Sequence, residues 1–394
     1  MNERVFLSLL FYMPFSPLLN SILPYKIFDF SVWNTIIPFV IMTFYFFKIS
    51  SKNNPKNIVI TLLFLIILTL ILILRANTFN LNFLYGLTKS WYLFFPIFIF
   101  PFLETLNLNL KHYKIIKSIL ITHIIFQGTI GMLYFFNLPT IQFLAEDGIE
   151  FSRFGGINYA PNVYSNLLFT FYLIYLMLFK NNKIILSILF ILTFFGILAS
   201  GSRLPLFLFL IVNTILGFKI INFKKNKIEL TKLAFLLISV FFIMEVLELE
   251  KIKQIQNIRL IGTGVSDGLR EENNTAAVIG LASSFTSFSI GLTNEQLFEN
   301  TEHGISDNSF TLITCSYGVF MLFIWMFMFK YLSNYKYLDF KHKKNLLYII
   351  YVLSIFTFNN AILWLPWVYF SMSGYIIIQR KKLINFSRTN KILS

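Results

Sequence analysis

A chain of 394 residues that is 56% hydrophobic and only 13% charged falls outside the range of soluble domains, which are about 45–50% apolar and about 25% charged. Its formal charge of +15 invites a nucleic-acid reading. The lysines and arginines, however, fall in short clusters between apolar runs, so a lipid bilayer is the expected partner and nucleic acid is not.

Apolar runs of about 20 residues follow one another closely enough for about 12 transmembrane helices and no second soluble domain. The fold class predicted for residues 1–394 is therefore a single all-α integral membrane domain, with both termini cytoplasmic. Residues 5–23 follow Arg4 and are interrupted by Pro14 and Pro17. No small-residue cleavage site follows, which reads as a retained first span and not as a signal peptide. Spans two and three are predicted at 31–47 and 58–74, the latter reaching Arg75 on the outer side. Spans four and five follow at 91–103 and 115–136. A smaller outer loop covers 138–162. Spans six (163–179) and seven (184–198) form a hairpin. Gly201, Ser202 and Arg203 cap it on the outer side, and span eight starts at Pro205 and runs to about 221. Span nine (230–247) enters a large outer loop at 250–308. Span ten (310–329), span eleven (346–364) and span twelve (367–378) complete the chain.

Charge fixes the expected orientation. Lys48, Lys52 and Lys56, then Lys111, Lys114 and Lys117, then Lys180 and Lys183, then Lys219 to Lys227, occupy alternate loops, and the clusters around Lys341 and Lys382 continue the pattern. This is the positive-inside distribution of a multi-pass membrane protein. Inside lysines need only topology and anionic lipid to account for them. The outer arginines, Arg75, Arg153, Arg203, Arg259 and Arg270, call for a second reason, because guanidinium presents a rigid fork suited to phosphate.

Other residue types say less. Cys315 is alone, so there is no disulfide framework and no redox motif. His123 and Gln127, one turn apart in span five, read as an interhelical contact, with a polar cavity as the alternative. No Asp-x-Asp pair and no His-Glu-x-x-His run is present, so no metal and no cofactor is expected.

Several short motifs lie on the predicted outer side. Arg153-Phe-Gly155-Gly156-Ile-Asn158-Tyr159-Ala-Pro161-Asn162 resembles the arginine, glycine, Pro-Asn segment that precedes a span in bacterial O-antigen polymerases and ligases. Ser200-Gly201-Ser202-Arg203 resembles the Ser-Arg signature of the same families. Gly268-Leu-Arg270 and Phe288-Ser-Ile-Gly291 are similar to elements of their large periplasmic loop. Asp307-Asn308-Ser309-Phe310, followed by Gly318, resembles the opening of the helix after it. Asp307 stands where the ligase branch usually has histidine, which favours the polymerase (Wzy-type) branch.

The resemblance implies a metal-independent glycosyltransferase acting at the periplasmic face of the inner membrane. It would join undecaprenyl-diphosphate-linked oligosaccharide repeat units in lipopolysaccharide O-antigen biosynthesis, with a polysaccharide chain-length regulator as a further partner. Arg203 and Arg270 would neutralise the departing diphosphate. Asp307 or His303 would take the acceptor proton. Arg153, Arg259, Asn158, Tyr159, Asn162 and Asn308 would bind substrate. Two alternatives stay open: a ligase that transfers the glycan to lipid A-core, and a lipid-linked oligosaccharide flippase. A flippase should show internal repeats and midplane charges, and neither is visible.

Overall fold

The computed structural model describes residues 2–27, 30–53, 55–81, 90, 93–104, 106–140, 154–156, 161–179, 183–220, 275–293, 296, 309–332, 343–358, 366–378 and 380. Among them the chain is almost entirely helical, with one small antiparallel hairpin pairing Lys26–Ile27 with Phe30–Ser31. The helices are α1 (Asn2–Tyr12), α2 (Ser16–Ile22), α3 (Ile37–Asn53), α4 (Pro55–Thr78), α5 (Phe95–Glu104), α6 (Leu110–Phe135), α7 (Pro161–Leu178), α8 (Lys183–Ser200), α9 (Arg203–Ile220), α10 (Phe285–Ile290), α11 (Ser309–Leu332) and α12 (Lys343–Phe358). Residues 275–282 and 366–378 are also helical.

Three described stretches are long and apolar enough to cross a membrane: Val59–Thr78, Leu110–Phe135 and Phe310–Phe327. A helix of that length satisfies its own backbone groups where no water is available to do so. The chain is a helical membrane protein, and these stretches lie where spans three, five and ten were expected.

Prolines and glycines account for the differences from the expected spans. The first span is two helices, because Pro14 and Pro17 divide it around a tight 3-10 turn at Met13–Phe15 and proline cannot supply the N–H that a continuing helix needs. The described helix of span four, α5, has only 10 residues and carries Pro101 inside it. At 1.5 Å per residue it covers about 15 Å, roughly half a hydrocarbon core. Helix α11 is broken at Gly318, where φ is 86° and ψ is 166°.

Helix α7 is the hub. Leu167, Leu168, Phe169, Phe171, Leu173 and Tyr175 all have no exposed surface, as expected of a helix that is apolar on every side. Around it, α6 and α8 pack closely through glycines. A Cβ on Gly128 would come within 2.8 Å of the Leu192 Cβ. Gly131 and Gly196 leave the slot that the Tyr164 ring fills, and its hydroxyl donates to the Gln127 carbonyl at 2.7 Å. In lipid there is little hydrophobic force between helices, so such close approach is what holds them together.

Paired contacts give the relative directions. Tyr164 meets Gln127 while Phe171 stacks on His123, so α7 runs antiparallel to α6. Residues 366–378 also run antiparallel to α6, since Tyr113 donates to the Ile377 carbonyl and Phe370 meets His123. Arg75 lies over Tyr317 and Phe64 meets Phe327, which sets α4 antiparallel to α11. On α4, Val59, Leu63, Ile66, Leu70 and Leu74 are exposed and form its lipid-facing side.

Candidate functional site

One end of the bundle gathers the start of α7, the end of α8 and the start of α9. The Ser200–Arg203 motif makes the turn between the last two. Gly201 adopts φ 61°, a left-handed conformation that stops a helix and suits glycine. Its N–H donates to the Leu198 carbonyl at 2.9 Å, and the Ser202 N–H donates to the Ser200 hydroxyl at 3.2 Å. The chain then enters α9 at Arg203.

Residues 154–156 and 161–162 of the Arg153–Asn162 motif come to the same place. The Phe154 N–H donates to the Ala199 carbonyl at 3.2 Å, and the Phe154 ring is fully buried, stacked on Tyr134 at 4.7 Å and edge-on to Tyr164 at 5.1 Å. Gly156 has φ 56°, and a side chain there would meet the Tyr164 ring at 2.8 Å. Pro161 opens α7, where a missing N–H costs nothing. From the first turn Asn162 reaches across, its Oδ1 accepting from the Ser202 hydroxyl at 2.9 Å. Two motifs about 40 residues apart in sequence are thereby joined by a backbone bond and a side-chain bond.

Of the predicted site residues, then, Asn162 stands against the Ser200–Ser202 turn and Arg203 is the first residue of α9. The start of α9 presents the positive end of a helix dipole, favourable to an anion, although Pro205 in its first turn has no N–H to offer. Arg153, Asn158, Tyr159, Arg259, Arg270, His303, Asp307 and Asn308 lie outside the described residues, as do residues 141–150 and 221–274, which include the expected span nine.

A second assembly surrounds the glycine element of the large loop. Ser284 caps α10, accepting the Ser287 N–H at 3.0 Å, and α10 ends at Gly291 with φ 87°. Gly291 and Gly318 interlock. A Cβ on Gly291 would come within 2.5 Å of the Ser316 carbonyl carbon and the Tyr317 nitrogen, and one on Gly318 would strike the Ser289 carbonyl. The Leu292 N–H donates to the Cys315 carbonyl at 2.7 Å.

By sequence alone Arg75 is one of the outer arginines, at the end of span three. The structure instead buries it to 6% exposure, where its Nη2 donates to the Leu292 carbonyl at 2.7 Å and its guanidinium lies over Tyr317 at 5.2 Å and Phe79 at 5.9 Å. It ties α4 to the loop element and to α11. The Leu292 carbonyl lies 217 residues away in sequence, a distance that no local pattern reveals.

Deeper in the bundle, the Thr170 and Tyr351 hydroxyls share a hydrogen bond at 2.5 Å and both lie within hydrogen-bond reach of the Asn166 carbonyl, while Trp367 donates its indole N–H to Tyr351 at 3.3 Å. The Asn166 amide itself is fully buried with no hydrogen-bond partner among the described residues, and the same holds for the amide of Gln127. The interhelical contact expected of His123 and Gln127 therefore takes another form. His123 is enclosed by the rings of Phe11, Phe15, Phe171 and Phe370, and α6 and α7 meet through the Gln127 carbonyl instead of its side chain.

No known protein family and no curated protein matches this chain.

Proposed function

We propose that the protein is a glycosyltransferase of the O-antigen polymerase type, joining polyprenyl-diphosphate-linked oligosaccharide repeat units at the extracytoplasmic side of the membrane. The observation that carries this reading is the meeting of Phe154 and Asn162 with Ala199 and Ser202, beside and within the Ser200–Arg203 turn, at one end of a membrane bundle. A lipid-linked diphosphate has its charge at the membrane surface and its tail in the bilayer. A site for it needs cationic donors at helix ends, and one motif arginine, Arg203, begins a helix there.

In the reaction, a hydroxyl oxygen at the non-reducing end of the acceptor attacks the anomeric carbon of the donor glycan. The bond from that carbon to the diphosphate oxygen breaks, and undecaprenyl diphosphate leaves with the electron pair. Arg203, Arg153 and Arg270 hold the leaving charge, and Arg259 supports them. Losing one preorganised donor of this kind costs about 10²–10³ in rate. The hydroxyl proton passes to Asp307 or His303.

Deletion of the gene tests the reading through the lipopolysaccharide it leaves. Core carrying one repeat unit is expected. Core with no repeats beside accumulated lipid-linked polymer would mean a ligase, and precursor trapped on the cytoplasmic leaflet would mean a flippase. Complementation with Arg203→Ala should fail to restore polymer.

A further inference from the structure

Residues 275–293 of the large loop contain no charged residue, although Glu271, Glu272 and Glu295 flank them. They fold as two short helical limbs, 275–282 and α10. Neither is long enough to cross a bilayer, and an uncharged apolar segment of this size fits a re-entrant or interfacial element. One side is buried through Ala277, Leu281, Ile290 and Leu292. The other presents Val278 at 51%, Ile279 at 65%, Phe285 at 79% and Phe288 at 44% exposure, a costly arrangement for a loop in water.

Three of its serine hydroxyls are satisfied within the segment itself. The Ser283 hydroxyl donates to the Gly280 carbonyl at 2.6 Å, Ser284 to the Ser287 hydroxyl at 2.9 Å, and Ser289 to the Phe285 carbonyl at 2.7 Å. At the breaks between helices the backbone is paired too. The Ser283 N–H reaches Gly280 at 3.2 Å, the Gly291 N–H reaches Ser287 at 2.8 Å, and Leu292 is held on both sides by Cys315 and Arg75. Irregular backbone persists at membrane depth only when protein satisfies it in this way.

The contacts also give the depth. Ser289 and Ile290 pack on Gly318, which lies inside the apolar stretch Phe310–Phe327, about 12 Å along the helix from Phe310 at 1.5 Å per residue. We propose that residues 275–292 form a re-entrant hairpin embedded in the bilayer. Val278, Ile279, Phe285 and Phe288 sit among phospholipid acyl chains of the leaflet that the Arg75 end of α4 reaches. The hairpin continues the lipid-facing apolar surface of α11, where Phe320, Phe323 and Phe327 are exposed. A second protein surface would find no charge on the hairpin to set its register, whereas lipid requires none. This inference depends on the chain being a membrane protein and is independent of the glycan chemistry.

The test uses the full chain carrying Cys315→Ala, reconstituted in nanodiscs of phosphatidylcholine and phosphatidylglycerol, with a nitroxide attached at Phe285→Cys and, separately, at Ile279→Cys. Phe323→Cys on α11 serves as the lipid reference. Both hairpin labels should collide more with oxygen than with a water-soluble nickel chelate, as the reference does. Adding Phe288→Asp should shift the label at 279 toward the chelate. Preference for the chelate at both positions of the unaltered hairpin would overturn the proposal. So would dipolar broadening showing that a second copy covers the patch.

Discussion

At the scale of single residues, the contact between Ser202 and Asn162 links two motifs that the chain keeps apart. Ser202→Ala removes one neutral hydrogen bond, which in membrane bundles is worth about 0.6 kcal/mol, so the melting temperature should hardly move. Misplacing the helix start that carries Arg203, the proposed charge-stabilising residue, should cost up to about 100-fold in rate. The expectation is that polymer formation falls far more than stability, read as product per unit of folded protein. Asn166 makes the opposite prediction for stability. A buried amide with neither end paired costs about 1–3 kcal/mol, so Asn166→Leu should raise the melting temperature in detergent. Asn162, Ser202 and Gly156 were legible in the sequence because each sits beside a chain turn that announces itself with glycine or proline. Arg75 was not. A lone cation ending an apolar run is equally suited to the interface, and only the folded chain shows which carbonyl and which rings receive it.

At the scale of elements, the docking of α10 on α11 depends on two glycines whose missing side chains face backbone. Gly318→Ala and Gly291→Ala should each destabilise the protein by about 1–3 kcal/mol from steric overlap, with left-handed backbone strain of about 1–3 kcal/mol in addition. Reduced yield of monodisperse protein and a lower melting temperature would register the loss, and Gly280→Ala, away from the interlock, should be mild by comparison. Long uncharged runs gave α4, α6 and α11 their places from sequence, since hydropathy dominates where every backbone bond is internal. What stayed hidden was how such runs break. Pro14 and Pro17 were visible, yet hydropathy alone does not say that they split a span into α1 and α2. Gly318 lies in the middle of an apolar run, and the Ser289 carbonyl that makes it a kink belongs to the preceding loop.

For the whole molecule, apolar length and clustered charge are enough to mark a helical membrane protein, and α4, α6 and α11 bear that out. The helix neighbours were beyond sequence reading, because in lipid they are chosen by small-residue fit, as with Gly128, Gly131 and Gly196, and not by hydrophobicity. The two-motif end of the bundle follows from the same packing, since α8 must lie along α6 for Ala199 to meet Phe154. The central claim is that this end transfers glycan between lipid diphosphates without a metal. The most direct measurement reconstitutes the purified full chain in liposomes with undecaprenyl-diphosphate-linked repeat units and follows both products in the presence of a chelator. The account predicts a ladder of polymer lengths with one undecaprenyl diphosphate released per linkage, and loss of both in Arg203→Ala. Folded, reconstituted protein that lengthens no glycan and releases no undecaprenyl diphosphate would contradict it.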